Sequence, residues 1–266
     1  MPTSAPQRSG RSVGVTSWKS KREFGLAHFR SKRLFHWETE PRKVKMSSGM
    51  MEANKLAQSV GKGSNLLLKI GDVFTPIKWG IFAVEKFGIF DQWVQGATVF
   101  DPTMGKGLLL QALVEYGLNK GYSIEQLPIK SLYGNELNSE YHAMAIDCFC
   151  KQYGVDMHDN FWNEDILSLG KRPFDIVFGN PPWQNFVDLP EKYKEELKPF
   201  FFEYDLIGKS QKLLLGGARI DIAALIIQKS IKDFLLPFGQ AYFFMPLSLL
   251  LNDGANDAFR KFSIHE

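Results

Sequence analysis

Asp175 to Trp183 reads DIVFGNPPW, a short apolar run that breaks directly into Asn180-Pro181-Pro182-Trp183. An apolar run of strand length that ends in turn residues, with no polar alternation, marks a strand buried on both faces. Two further runs of this kind are Ala97 to Asp101 (ATVFD) before it and Ala241 to Met245 (AYFFM) after it. Ser131 to Gly134 adds another, ending at Glu136, and a weaker one lies just before Asp165. Between them fall helical segments at about Ile77 to Phe87, Gly107 to Tyr116, Tyr141 to Tyr153 and Asp221 to Leu236, with Asn138 placed to cap the third. Strands alternating with helices from about residue 51 onward predict an α/β domain, a mostly parallel sheet with helices on both faces.

Composition restricts the classes further. The chain has 266 residues and is 44% apolar, enough for one α/β core. Its two cysteines, Cys148 and Cys150, sit two apart in an expected helix, a spacing unsuited to a disulfide framework, so a reducing, cytoplasmic setting is expected. No apolar run approaches the roughly 20 residues that span a bilayer, and no membrane association is expected. The five histidines do not pair with the cysteines at ligand spacing, so no metal site is expected.

The formal charge of +3 is uneven: residues 1–50 hold eleven Lys or Arg against three Glu, so the remainder is acidic. This Ser- and Arg-rich segment lacks hydrophobic periodicity and is expected to be largely irregular. It reads as a nucleic-acid-binding arm, a transit-like peptide, or sequence upstream of a true start at Met46, Met50 or Met51, and the last is preferred.

The tetrapeptide Asn180 to Trp183 follows a strand, and in open parallel sheets ligands bind outside the carboxyl ends of strands. Its composition suits attack by an amine whose lone pair is delocalised, whether on a heteroaromatic ring or in an amide. Acceptors that take both amine hydrogens push such a nitrogen toward tetrahedral geometry and free its lone pair for in-line attack on a sulfonium methyl. Asn180 Oδ1 and the Pro181 carbonyl are candidate acceptors, Pro182 stiffens the turn, and Trp183 offers a flat face to a planar substrate. All three turn residues are also ordinary at the end of a strand, so context decides.

That context begins at Asp101-Pro102-Thr103-Met104-Gly105-Lys106-Gly107. Gly105 and Gly107 would let backbone approach a bound nucleoside, and Asp101 could accept from an ammonium group. The spacing fits neither a P-loop nor the three-glycine dinucleotide fingerprint, since Leu110 stands where a third glycine would be, which favours a ligand without a pyrophosphate. Glu136 and Asp165 place acids at successive strand ends, suited to ribose hydroxyls and to an adenine amine, and each could equally be a solvated loop residue or a cap. Phe74-Thr75-Pro76 opens the first helix and reads equally as a plain helix start.

The succession FTP, DPxxGxGxLL, GxEL, an acidic residue and NPPW resembles the γ-type adenine-N6 DNA methyltransferases of restriction-modification systems, over roughly residues 70–250. The resemblance implies a Rossmann-like fold that binds S-adenosyl-L-methionine. Thr75 would lie near the methionine carboxylate, Asp101 and Gly105 along the methionine moiety, Glu136 on the ribose and Asp165 on the adenine, with Phe178 flanking the cofactor base and Gly107 also among the cofactor-binding residues. Asn180, Pro181, Pro182 and Trp183 would hold a flipped DNA adenine. A specificity subunit or a restriction endonuclease is the implied protein partner.

The chain departs from that pattern at Thr103-Met104, where a small residue and Cys are commoner, and at Lys106, where a small polar residue is usual. After the fifth strand about twenty residues remain, too few for the family's closing hairpin and target-recognition domain, so residues 51–266 are expected to form a catalytic domain lacking both. Residues 184–220 form an insertion in which Phe200, Phe201, Phe202 and Tyr204 sit beside Lys192, Lys194 and Lys198. This insertion would contact an unpaired nucleic-acid strand, cap the pocket or, as preferred, pack its aromatic face on the core. rRNA adenine or a protein glutamine would pose the same nucleophilicity problem, and an inactive truncated subunit is the reading from a different class. Trp183 and the FTP segment favour nucleic acid over glutamine.

Overall fold

The computed structural model describes residues 13–18, 24–29, 74–207, 220–251 and 256–261. Strands β1 (Val13–Trp18) and β2 (Phe24–Phe29) come first, then helices α1 (Ile77–Lys86) and α2 (Ile89–Val94). The alternating series follows: β3 (Val99–Asp101), α3 (Leu108–Asn119), β4 (Leu132–Asn135), α4 (Ser139–Tyr153), β5 (Phe161–Trp162) and β6 (Phe174–Gly179). Then come α5 (Glu191–Glu203), α6 (Ile222–Asp233), β7 (Leu235–Pro246), α7 (Ser248–Leu251) and α8 (Asp257–Arg260).

The sheet order is β1-β2-β7-β6-β3-β4-β5. From β7 to β5 every neighbouring pair is parallel, with Val99 opposite both Leu132 and Ile176. The chain lays β4 and β5 on one side of β3, then returns to lay β6 and β7 on the other. The order therefore reverses between β3 and β6, and a crevice opens at the carboxyl ends of those strands. The expected α/β class is the observed one.

Strand side chains alternate between two buried layers, as the period of two requires, except across a register shift between Phe174 and Ile176 of β6. Val99, Leu132, Ile176, Phe178, Tyr242 and Phe244 pack with α1 to α4. Phe100, Phe174, Val177, Ala241, Phe243 and Met245 pack with α5 to α8. With both faces covered, each fully buried Phe contributes about 1.5–3 kcal/mol relative to exposure. Helix ends follow local chemistry. Asn138 Oδ1 accepts from the Glu140 and Tyr141 amides at 2.9 and 3.2 Å to start α4, which stops at left-handed Gly154. Asp221 caps α6 through the Ala223 amide at 2.9 Å, and burial pushes its carboxyl up to about 6.

Three expectations are corrected. The helix expected to reach Leu236 stops at Asp233, because Leu235 and Leu236 already belong to β7. The first fifty residues were expected to be irregular, yet VGVTSW and FGLAHF form an antiparallel hairpin whose inner strand pairs with β7 from Phe24–Pro246 to Phe29–Ala241. The outer edge of β7 is a row of backbone donors and acceptors, and a segment rich in β-formers satisfies it despite its charged surroundings. An antiparallel hairpin thus lies beside the fifth parallel strand, where none was expected from the residues after it. The remainder of the basic segment, with Met46, Met50 and Met51, lies outside the described residues.

Candidate active site

A cleft of about 480 Å³ opens at the carboxyl ends of β3, β4, β5 and β6. Its walls are the loops after those strands, the Phe74-Thr75 segment ahead of α1, and the entry to α5. Among the described lining residues are three carboxylates, Asp101, Glu136 and Asp165, and no Lys or Arg. Such a lining favours a cationic ligand and disfavours one carrying phosphates.

The glycine turn is built by close approach. The Thr103 amide donates to Asp101 Oδ1 at 3.1 Å, and the Met104 amide donates to the Asn135 carbonyl at 2.9 Å. Gly105 has φ +55, and a Cβ there would come 2.9 Å from the Phe74 ring. Gly107, at φ +75, is the left-handed residue that launches α3; it lies behind the turn and does not line the cleft. The two departures from the family pattern are accommodated. Met104 packs over Gly134, where a Cβ would collide with its sulfur. Lys106 is buried with its ammonium 4.7 Å from the Phe74 ring and 5.3 Å from the Tyr141 ring, outside the cleft lining.

The acids differ in their surroundings. Glu136 Oε2 accepts from the Gly105 amide and Oε1 from the Asn138 amide, both at 2.8 Å, so this side chain ties the glycine turn to the start of α4. Each carboxylate oxygen keeps further acceptor capacity for a ligand. Asp165 lines the cleft and accepts from the Leu167 amide at 2.9 Å, so it serves as a turn cap while facing the cavity. Asp101 is 1% exposed, and burial pushes its carboxyl up to about 8, with Glu136 adding repulsion and the Thr103 amide opposing.

Asn135 is the residue that sequence reasoning missed. Buried at the end of β4, it donates through Nδ2 to Pro102 O at 3.4 Å and Glu164 O at 3.0 Å, joining three strand-end loops. Its Oδ1 is buried in the cleft wall with no hydrogen-bond partner among the described residues. A polar residue closing an apolar strand beside Glu136 was the available signal.

Asn180, Pro181 and Pro182 line the same cleft as these acids. Asn180 Nδ2 donates to Thr75 Oγ1 at 2.9 Å, joining two motifs 105 residues apart. Trp183 does not line the cleft. It is half-buried against the α5–α8 layer, because the chain turns there toward Gln184, whose carbonyl accepts from the Ile222 amide at 2.8 Å. Phe178 is likewise displaced from its expected place: the alternation of β6 points it to the α1–α4 layer, where it is fully buried 6.3 Å from the Phe244 ring. The planar wall comes instead from the insertion, through Tyr193 at the first turn of α5. Burial raises the Tyr193 hydroxyl, with Asp165 and Glu196 adding to the effect. Phe201 and Tyr204 are buried in the core, and Lys194 and Lys198 pair with Glu191 and Glu195. Among the described residues no His, Cys, Asp and Glu group could hold a metal, and no helix is long and apolar enough to cross a membrane.

A family model described as N-6 DNA Methylase matches residues 55–209. No curated protein matches the chain. Among solved structures, a nuclease-deletion mutant of the Type ISP restriction-modification enzyme LlaGI, in complex with a DNA substrate mimic, is similar with TM-score 0.55 and 18% identity. That match covers 79% of this chain and 23% of the other, and the likeness is one of fold. The type I restriction-modification system methyltransferase subunit from Streptococcus thermophilus aligns at TM-score 0.46 and 22% identity, over 73% of this chain and 38% of the other. A protein described as a class I S-adenosylmethionine-dependent methyltransferase from Listeria monocytogenes aligns at TM-score 0.49 and 15% identity, over 77% and 54%. The chain spans about half the length of this last structure and less of the others.

Proposed function

The chain belongs to the N-6 DNA methylase family, and on that premise we propose that it transfers a methyl group from S-adenosyl-L-methionine to N6 of an adenine in DNA, within a restriction-modification system. The observation that carries the reading is that Asn180-Pro181-Pro182 and the carboxylates Asp101, Glu136 and Asp165 line one cleft at the sheet's switch point.

The lining fits the methyl donor. Three carboxylates without a described Lys or Arg suit a molecule that carries a sulfonium and an ammonium group and no phosphate. The Gly105 turn leaves room for close approach, and Asn135 Oδ1 offers a buried acceptor. Thr75, Asp101, Gly105, Glu136 and Asp165 would hold it, and when bound S-adenosyl-L-methionine supplies an electrophilic methyl group.

The chain's own residues prepare the nucleophile. Asn180 Oδ1 and the Pro181 carbonyl accept the two hydrogens of the target amine and localise its lone pair. Pro181 and Pro182 fix φ and lack N–H groups, so the turn cannot collapse into a helix or a ladder. Tyr193 and Pro182 offer apolar surfaces to an extruded base, and extrusion from a duplex is what exposes N6 to this depth. A specificity subunit or a restriction endonuclease is the proposed protein partner; LlaGI and the Streptococcus subunit belong by name to restriction-modification systems.

The test is titration of S-adenosyl-L-methionine into the chain, with transfer of labelled methyl to mixed-sequence DNA followed in parallel. Wild type is expected to bind and transfer. Asn180→Ala is expected to bind within a few fold and transfer nothing. Normal transfer by Asn180→Ala would show that the acceptor lies elsewhere.

A further inference from the structure

We propose that Thr75 is a positioning residue that sets which end of the Asn180 side-chain amide meets the target amine. The inference rests on the transferase reading given above and adds to it a link between the segment ahead of α1 and the strand-end turn after β6.

The two ends of an asparagine amide have nearly the same size and opposite hydrogen-bonding character. Methyl transfer to a delocalised amine needs the oxygen end, because an NH₂ facing the amine would meet donor with donor. Nothing in the Asn-Pro-Pro backbone chooses between them; the choice belongs to whatever binds the NH₂ end. Among the described residues a partner of that end is Thr75 Oγ1, which accepts from Asn180 Nδ2 at 2.9 Å. Thr75 is 8% exposed, and Asn180 Oδ1 is itself buried, so a reversed amide would not find water in compensation. With Nδ2 on Thr75, Oδ1 is directed away from it. The neighbouring Thr103 hydroxyl reaches the backbone carbonyl of Asn180 at 3.4 Å, a longer contact that steadies the turn and does not touch the side-chain amide.

A hydroxyl accepts and donates at once. When its hydrogen is committed to an acceptor on the methyl donor, Thr75 meets Asn180 as an acceptor only, and an acceptor selects the NH₂ end of the amide. Occupation of the donor site would then reinforce the amide orientation needed at the target site. The hydroxyl is required for this and the methyl group is not, so Ser should substitute and the isosteric Val should not.

The experiment uses the full chain with selectively labelled asparagine. The Asn180 side-chain amide signal is identified as the one lost in Asn180→Asp. In wild type one of its protons is expected to exchange at least about 10-fold more slowly than those of exposed asparagines. That protection should vanish in Thr75→Val and persist in Thr75→Ser. Single-turnover methyl transfer at saturating S-adenosyl-L-methionine should fall about 10- to 100-fold in Thr75→Val, as a misplaced reacting group does. Binding of the methyl donor should weaken by a smaller factor than the saturated transfer rate falls, and Thr75→Ser should recover both. An Asn180 amide unchanged by Thr75→Val would overturn the proposal, and so would a loss confined to donor binding. If wild type transfers nothing to DNA while the amide signature depends on the Thr75 hydroxyl, the DNA reading fails and the positioning stands. Transfer without that dependence means the reverse.

Discussion

Asp101 should make binding of the methyl donor rise steeply with pH. The carboxyl is buried at the end of β3 and its pKa is pushed up to about 8, chiefly by desolvation, with Glu136 adding repulsion. A cationic ligand binds the ionised form, so apparent affinity scales with the ionised fraction, about 1% at pH 6 and about half at pH 8. That is a rise of roughly 50-fold across two pH units, with about 0.9 proton released per ligand bound at pH 7. Isothermal titration in buffers of different ionisation enthalpy measures both quantities, and Asp101→Asn should bind more weakly and lose the pH dependence. Stability of the ligand-free chain should run the other way. The folded form holds a proton that the unfolded carboxyl releases near 3.8. The unfolded state therefore binds fewer protons between about pH 4 and 8, and this group alone costs about 1.4 kcal/mol per pH unit as pH rises through that window. Affinity that is flat or falling between pH 6 and 8, with no proton release, would refute the role assigned to Asp101.

Three further outcomes follow from the site geometry. Glu136→Ala strips the acceptor from the Gly105 and Asn138 amides as well as from a ligand, so S-adenosyl-L-methionine affinity should fall by about 1.5–3 kcal/mol in the same titration. Lys106→Met removes a cation held by Phe74 and Tyr141 outside the cleft; it should cost about 0.5–2 kcal/mol in denaturant unfolding and change donor affinity less than about threefold. Trp183→Phe alters a packing residue of the α5–α8 layer, so the unfolding midpoint should drop while the single-turnover rate stays near wild type; a selective loss of rate would restore Trp183 to the substrate site.

The sequence exposed the fold because its central strands are apolar runs of strand length that end at chemically marked turns, as ATVFD ends at Asp101 and DIVFG at Asn180. That same continuity hid the direction of Phe178. When both faces of a strand are buried, no polar alternation says which face a given side chain joins, and β6 turns Phe178 away from the cleft. Trp183 was misplaced for a related reason: its composition suits stacking, but the path of the chain after two prolines decides where its ring goes. The β1–β2 hairpin was obscured by charge density, which outweighed two six-residue runs of β-forming residues whose partner strand is more than 200 residues away. Asn135 left only a faint local mark, a polar residue closing an apolar strand, and the Thr75–Asn180 link left none, because both depend on contacts between distant segments.

The central claim is tested most directly by incubating the full chain with S-adenosyl-L-methionine and adenine-containing DNA, digesting the DNA to nucleosides, and identifying the methylated product by mass spectrometry. N6-methyladenosine in its deoxy form, absent from a parallel reaction with Asn180→Ala, is the predicted result. A methylated cytosine, or the same yield from the Asn180→Ala chain, would contradict it.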